Sequence, residues 1–451
     1  MTLADPVTSH RAANRVVAGP LLSVIPGDQV RQPHPDKAIS QRATLLAGLA
    51  DGESRIHGLA DCRDTRANLS VLARLGVRCR HTTDGVLLVR GVDGHALAYR
   101  GAGLDVGNSA TTARLLIAVL AGSRSECTVT GNSSLRSRPM HWLVAPLRRL
   151  GADLRYGSRH GRLPVMIFGQ RLRGGTVRAD VDSAQAVSAL LFGSLLADSD
   201  ITIDRRTAAR DHTERLLRWA GIPVLERGNL IRVTPGRPAA FELSVPGDPS
   251  GAAVLAALHL ASPYAANRLR LTGVCLNPRR LGFFTIIERM GVPVRYDACP
   301  WSSPEPVGDI LIGPRADLKA GTIRGAALIQ SAIDELPLIA ALATLADGPT
   351  TVRNAADLRD KDTDRIAGMA ALLRAFGVTV QTYGDGLTVH PSRPHAPRVA
   401  RLPPDHRLIF AAFVLAALAS GSTELSGVSA CATSYPGFLA DAAHYLDLRH
   451  E

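Results

Sequence analysis

GNSATTARLLIAVLAG, residues 107–122, joins a glycine-led polar loop to a run of small and aliphatic residues. It opens with Asn and Ser where a helix N-cap belongs and closes on Gly, where a C-cap belongs. The same pattern occurs in PDKAISQRATLLAGLADG from Pro35, DSAQAVSALLFGSLLAD from Asp182 and GDPSGAAVLAALHLAS from Gly247. It occurs again in DELPLIAALATLADG from Asp334 and DHRLIFAAFVLAALASG from Asp405. The copies start roughly 65 to 85 residues apart, longer than most solenoid periods. Each predicts a helix that is apolar almost all round, and such a helix is buried.

Between the copies lie β-branched runs such as TVRADV, NLIRVTPG and TVRNA, which read as strands. HWLVAPLRRLGADLRY, HTERLLRWAGIPVL and three similar stretches read as amphipathic helices running into Gly and then a strand. Six α/β units in two sets of three predict two similar domains, with a break near Pro246-Gly247. A chain of 451 residues exceeds one ordinary core and fits that division.

Composition narrows the function. Hydrophobic residues make up 46% and charged residues 20%, so the chain can bury a core. Aromatics are only 4%, which leaves small helices packed on sheets. The net charge of +12 suits nucleic acid or small anions, but no basic run is interleaved with aromatics, which argues against nucleic acid. The six cysteines are scattered, with no CxxC pair, so disulfide and zinc frameworks are not expected and a reducing cytoplasm fits. The N-terminus has no apolar signal region, and the longest apolar run, Leu408 to Ala419, is too short to span a bilayer. A soluble protein is expected.

The loops point to phosphate chemistry. A helix N-terminus presents unpaired N–H groups and about half a positive charge, a ready anion site. Lys37, Arg42, Arg114, Arg138, Lys361, Arg365 and Arg407 surround these helix starts. Arginine pairs bidentately with phosphate and carboxylate. GxxxxGK[ST] and GxGxxG loops are absent, as is any metal-ligand cluster, which disfavours nucleotide hydrolysis and dinucleotide chemistry.

DKAISQRATLLAGLADG, GNSATTARLL, SLRSRPM, DSAQAVSALL, ARDHTERLL, VPGDPSGAA, IDELPLIA, LRDKDTDRIAGM, DHRLIFAA and ATSYPGF together resemble the EPSP synthase family of enolpyruvyl transferases. The ten motifs keep the family's order from about residue 30 onward. The resemblance implies an α/β, two-domain, pseudo-threefold repeat: an inside-out α/β barrel of six βαβαββ-type units. One domain would comprise residues 1–35 and 246–451, and residues 36–245 would form an inserted domain, with the active site in the cleft between them. It also implies transfer of the enolpyruvyl (carboxyvinyl) group of phosphoenolpyruvate (PEP) to a hydroxyl of shikimate 3-phosphate, releasing phosphate, in the chorismate pathway. No metal or organic cofactor is implied, nor any nucleic-acid or membrane partner, and a cytoplasmic monomer is expected.

Residue by residue, the resemblance gives Lys37, Ala110, Arg138, Gln185, Arg365 and Arg407 to PEP. It gives Arg42, Ser183, Gln185, Asp334, Asp357 and Lys361 to the acceptor, and catalysis to Lys37, Asp334 and Asp362. Asp334 corresponds to the carboxylate that takes the acceptor hydroxyl proton. Several positions depart from the family. Ala38 and Ala209 stand where serines are expected, Asp362 replaces a catalytic Glu, and Thr433 lies near the place of a lysine. His34-Pro35 replace Pro-Gly, and Ala184 replaces a second serine of some members. The PEP side is nearly whole and the acceptor side is altered. This leaves the same PEP chemistry on another hydroxyl, such as a nucleoside monophosphate, as an alternative, and a non-catalytic PEP-binding homologue as a lesser one. A UDP-N-acetylglucosamine acceptor fits poorly, because the loop cysteine of that branch corresponds to about Ser133.

Overall fold

The computed structural model describes residues 14–21, 27–93, 97–101, 103–179, 181, 183–206, 210–300 and 303–450. Asp182 and Ala209 lie outside the described residues. Six four-stranded sheets form among the described residues; three take one strand from a distant part of the chain, and three come from one continuous strand–helix–strand–helix–strand–strand stretch. In one, Leu104–Asp105 runs parallel to Glu126–Thr130, with Leu104 opposite Val129. Glu126–Thr130 then pairs antiparallel with Val165–Phe168, which pairs antiparallel with Asp153–Tyr156. The α/β repeat fold is therefore the one expected.

The six repeated segments form the inner helices Lys37–Leu49, Ala110–Gly122, Ala184–Ser194, Pro249–Ala261, Leu336–Leu342 and His406–Leu418. They are buried on nearly every face; all residues of Pro249–Ala261 are buried. Small side chains make this possible. A Cβ on Gly122 would sit 2.8 Å from the Cβ of Leu196, too close for any larger residue without movement.

Two hydrophobic cores result. One gathers buried residues from Ile39 to Val245, joined by Cys275, and the other gathers Val16, Ala18 and residues from Ala252 to Leu446. Strand exchange links them. Gln29–Arg31 pairs with Leu269–Cys275 in the second half, and Glu242–Ser244 returns to complete the sheet of Glu53–His57 in the first. Arg15–Pro20 inserts between Thr423–Ser426 and Leu446–His450, closing the last sheet. At the crossings, Asp36 N–H donates to Pro246 O and Asp248 N–H donates to His34 O, both at 2.8 Å.

The outer helices end as their sequence predicts. Gly76, Gly151, Gly221, Gly291 and Gly377 follow them with φ between 74° and 97°. This is the left-handed region that a side chain disfavours. The inner helices differ from expectation at their C-termini. Ala50, Ser123, Ser262 and Ala419 end them in extended conformation, so the chain leaves toward the next strand without a glycine cap. Their N-caps also differ. Asp36, Ser109, Asp248 and Asp405 accept bonds from the first turn, whereas Ser183 makes no such bond. Asp334 is no cap at all. It sits at a 92° break between Ala326–Ala332 and the helix beginning at Leu336, which turns its carboxylate toward the arginines described below.

Candidate active site

The inner helices Lys37–Leu49, Ala110–Gly122 and Ala184–Ser194 converge at their N-terminal turns. Gln41 donates to Ser109 Oγ at 2.7 Å and to Thr112 Oγ1 at 3.1 Å. Gln185 donates to Thr111 Oγ1 at 3.1 Å and accepts from Arg114. Arg42 reaches Ser188 Oγ at 3.0 Å. These cross-links leave a cavity of about 380 Å³ between the two halves. All twelve residues named from the sequence line it: Lys37, Arg42, Ala110, Arg138, Ser183, Gln185, Asp334, Asp357, Lys361, Asp362, Arg365 and Arg407. Ala38 and Thr433 line it too.

Asp334 is the electrostatic centre. Its two oxygens accept from Arg210 Nη1 at 2.8 Å and from Arg365 Nη1 at 3.0 Å, and Arg407 lies 3.9 Å away. Burial disfavours its charge, but Arg210, Arg407, Arg365 and Lys361 hold its pKa well below the usual carboxylate range. Lys361 moves down from the ordinary lysine value through burial, against the pull of Asp334. Asp357 accepts from Gln330 at 2.8 Å on the same wall.

Lys37 donates to Asp64 at 3.0 Å. Burial works to lower its pKa, but Asp64, helped by Cys62, raises it above the ordinary value, so it is a cation at neutral pH. Arg138 crosses the cleft and pairs with Asp362 at 2.9 Å. Burial opposes the Asp362 charge, while Arg138, Arg365 and Lys37 lower its pKa. Among the described residues, Arg42 is held by neutral oxygens alone: Thr213 Oγ1 at 2.9 Å, Ser188 Oγ at 3.0 Å and Ala38 O at 3.0 Å. Burial lowers its pKa to about 10.

Three contributors carry no role in the sequence reading. Arg210 lies inside the quoted ARDHTERLL motif, so the motif pointed near it without singling it out. Asp64 lies outside every motif. Asp405 reads as a plain cap, yet its Oδ2 accepts from Arg365 Nε at 2.8 Å while its Oδ1 caps Arg407 N–H at 2.9 Å. One carboxylate thus fixes both arginines. Asp362, Asp405 and His406 lie close enough to suggest a metal-binding trio. Both carboxylates are already paired to arginines, and burial, Arg407 and Lys37 push the His406 pKa well down.

Two arginine-rich walls face each other across a small cavity, carried by six similar α/β units. The enolpyruvyl transferase NikO from Streptomyces tendae shares this fold, with a TM-score of 0.77, 97% of this chain and 99% of that chain covered, and 19% identity. Residues 28–441 match the EPSP synthase (3-phosphoshikimate 1-carboxyvinyltransferase) family, and the chain belongs to that family. An EPSP synthase from Acinetobacter baumannii superposes with a TM-score of 0.83 at 28% identity, covering 96% of this chain and 99% of that one. A 3-phosphoshikimate 1-carboxyvinyltransferase of Chloroflexus aurantiacus is 38% identical over 412 residues, 89% of this chain and 93% of that protein. One of Roseiflexus sp. (strain RS-1) is 41% identical over 420 residues, again 89% and 93%.

Proposed function

We propose that this protein transfers the enolpyruvyl group of PEP to a hydroxyl of shikimate 3-phosphate and releases phosphate. The observation that carries this is the single cavity in which Asp334, under four cations, faces the Lys37, Arg138 and Gln185 wall. The family membership and the names of the relatives support the same reaction and the same acceptor.

The chemistry suits these groups. The acceptor oxygen attacks the substituted vinyl carbon of PEP while a proton reaches the methylene carbon, and loss of phosphate with a proton from that carbon restores the double bond. Asp334, held ionised, accepts the hydroxyl proton. Lys37, a buried cation, supplies positive charge beside PEP, and Asp362 is the second carboxylate within reach of the transfer. Arg138, Arg365 and Arg407 hold the anionic ends of PEP, with Ala110 and Gln185 beside it. Arg42, Ser183, Asp357 and Lys361 form the acceptor wall, where Arg210 adds a cation. PEP exchanges with Asp362 for the Arg138 guanidinium as it binds. Closure around both substrates excludes water and strengthens each of these contacts.

We place the domain limits at 36–245 for the inserted domain and 1–35 with 246–451 for the other, a division supported by the two separate cores. No single helix among the described residues is long and apolar enough to cross a membrane, and the cysteines are free, which fits action in the cytoplasm.

Incubation with PEP and a panel of hydroxyl acceptors, followed by phosphate release, tests the proposal. Turnover with shikimate 3-phosphate well above that with nucleoside monophosphates is expected. Preference for a nucleoside monophosphate would move the reaction to another acceptor. Tight PEP binding with no release from any acceptor would make the protein a binding homologue.

A further inference from the structure

Seven arginines line the cavity: Arg42, Arg114, Arg138, Arg210, Arg280, Arg365 and Arg407. Five have a carboxylate within 4.0 Å: Arg138, Arg210, Arg280, Arg365 and Arg407. Among the described residues, no carboxylate lies within that distance of Arg42 or Arg114. Arg42 is proposed above for the acceptor wall, with all three of its nitrogens bonded to neutral oxygens. Arg114 has no such role and fewer bonds. It donates to Gln185 Oε1, and its guanidinium carbon lies 4.7 Å from the centre of the Trp142 ring. Its Nε is buried with no partner among the described residues, and the residue is only 8% exposed.

A buried guanidinium with an unused donor is costly unless an anion completes it. Burial, together with repulsion from Arg138, lowers the Arg114 pKa to about 9, and Asp362 offsets this only in part. Arg138 also binds Asn108 at 3.3 Å, beside the start of the helix Ala110–Gly122 that carries Arg114. Two adjacent cations at a helix N-terminus share one protein carboxylate, Asp362. A dianion balances this wall better than a monoanion does. Of the two anionic ends of PEP, the phosphoryl group is the dianion. The Trp142 face fixes the plane of the guanidinium, so the fork is presented in one orientation.

We propose that Arg114, stacked on Trp142, is a direct ligand of the PEP phosphoryl group and of the phosphate that leaves. The assignment rests on the reading that PEP is the donor. On binding, the Arg114 fork contacts a phosphoryl oxygen and Gln185 turns toward the substrate.

Calorimetry on the full chain tests this with PEP, inorganic phosphate and pyruvate as probes; pyruvate keeps the carboxylate and lacks the phosphoryl group. Arg114→Gln is expected to weaken PEP and inorganic phosphate by the same factor, about ten- to a hundredfold. Pyruvate should stay within about threefold of wild type, because it makes no contact with Arg114. Arg114→Lys keeps the charge without the fork and should lose several-fold for phosphate. An effect on pyruvate without one on phosphate would overturn the assignment, as would unchanged phosphate binding in both variants. If Arg114→Gln fails to fold by circular dichroism, the lysine variant decides on the same two probes. Wild-type turnover with PEP and shikimate 3-phosphate is measured on the same preparation. Its absence would overturn the proposed reaction, while phosphate binding would still decide the role of Arg114.

Discussion

The two walls of the cavity are built from the same repeat yet carry different charge. Among the described residues, the wall from residues 36–245 presents Lys37, Arg42, Arg114, Arg138 and Arg210 against a single acid, Asp64. The opposite wall presents Asp248, Asp334, Asp357, Asp360 and Asp362 among its own cations. Contact across the cleft follows that difference. Arg138 reaches Asp362 at 2.9 Å and Arg210 reaches Asp334 at 2.8 Å. Buried pairs of this kind repay their desolvation only with good geometry and added hydrogen bonds, and removing one partner leaves a costly lone charge. One wall therefore supplies cations that anionic substrates can use, and the other supplies carboxylates that hold those cations and move protons.

Replacing the acid at the centre breaks the comparison most severely. Asp334→Asn should lower turnover by on the order of a thousandfold while the protein still melts cooperatively. Near-normal phosphate release from that variant would contradict the role given to Asp334. Next comes the cross-cleft pair. Asp362→Asn should cost about a hundredfold in kcat, as loss or misplacement of a reacting group does. It should also lower KM for PEP, because Arg138 no longer has to exchange partners. A raised KM with unchanged kcat would mean that Asp362 only shapes the binding site.

His406 tests the charge of the same region through stability. Its folded pKa lies well below the ordinary histidine value, so the folded state favours the neutral ring. Its contribution is present above about pH 6.5 and is lost as pH falls toward the folded value, at up to about 1.4 kcal/mol per pH unit. His406→Asn should therefore gain stability relative to wild type between pH 7.5 and pH 5.5 in denaturant titrations. A pH-independent difference would contradict this. The smallest effect is expected at Ala38. One hydrogen bond to a charged group is worth about 1.5–3 kcal/mol, so an uncompensated loss would cost tenfold or more. Arg42 and Arg210, with Lys361 from the opposite wall, already line the proposed acceptor side, so Ala38→Ser should change KM for shikimate 3-phosphate by less than about threefold. A larger gain would point to a different natural acceptor.

Much of this arrangement was legible in the residues. The apolar segments at Pro35, Gly107, Asp182, Gly247, Asp334 and Asp405 have a period and composition that only buried helices satisfy. The glycines after the outer helices fixed where those helices stop. The caps were less legible. DELPL looks like its sister segments, but the chain bends by 92° there and the Asp334 carboxylate pairs with Arg210 and Arg365. Arg210, Asp64 and Asp405 gain their meaning from partners far away in the chain, 124 residues in the case of Arg210. No local pattern encodes such a pair. Strand exchange has no local signal either, since Gln29–Arg31 pairs with Leu269–Cys275 beyond residues 36–245; only the family resemblance implied that discontinuous division.

Following a carbon label from PEP tests the central claim most directly. PEP labelled at its methylene carbon is mixed with shikimate 3-phosphate and the protein, and the label is followed by nuclear magnetic resonance alongside phosphate. An enol ether of shikimate 3-phosphate is expected in equal amount with phosphate, formed on the order of a thousandfold more slowly with Asp334→Asn. Labelled pyruvate with phosphate, or no consumption of PEP, would contradict it.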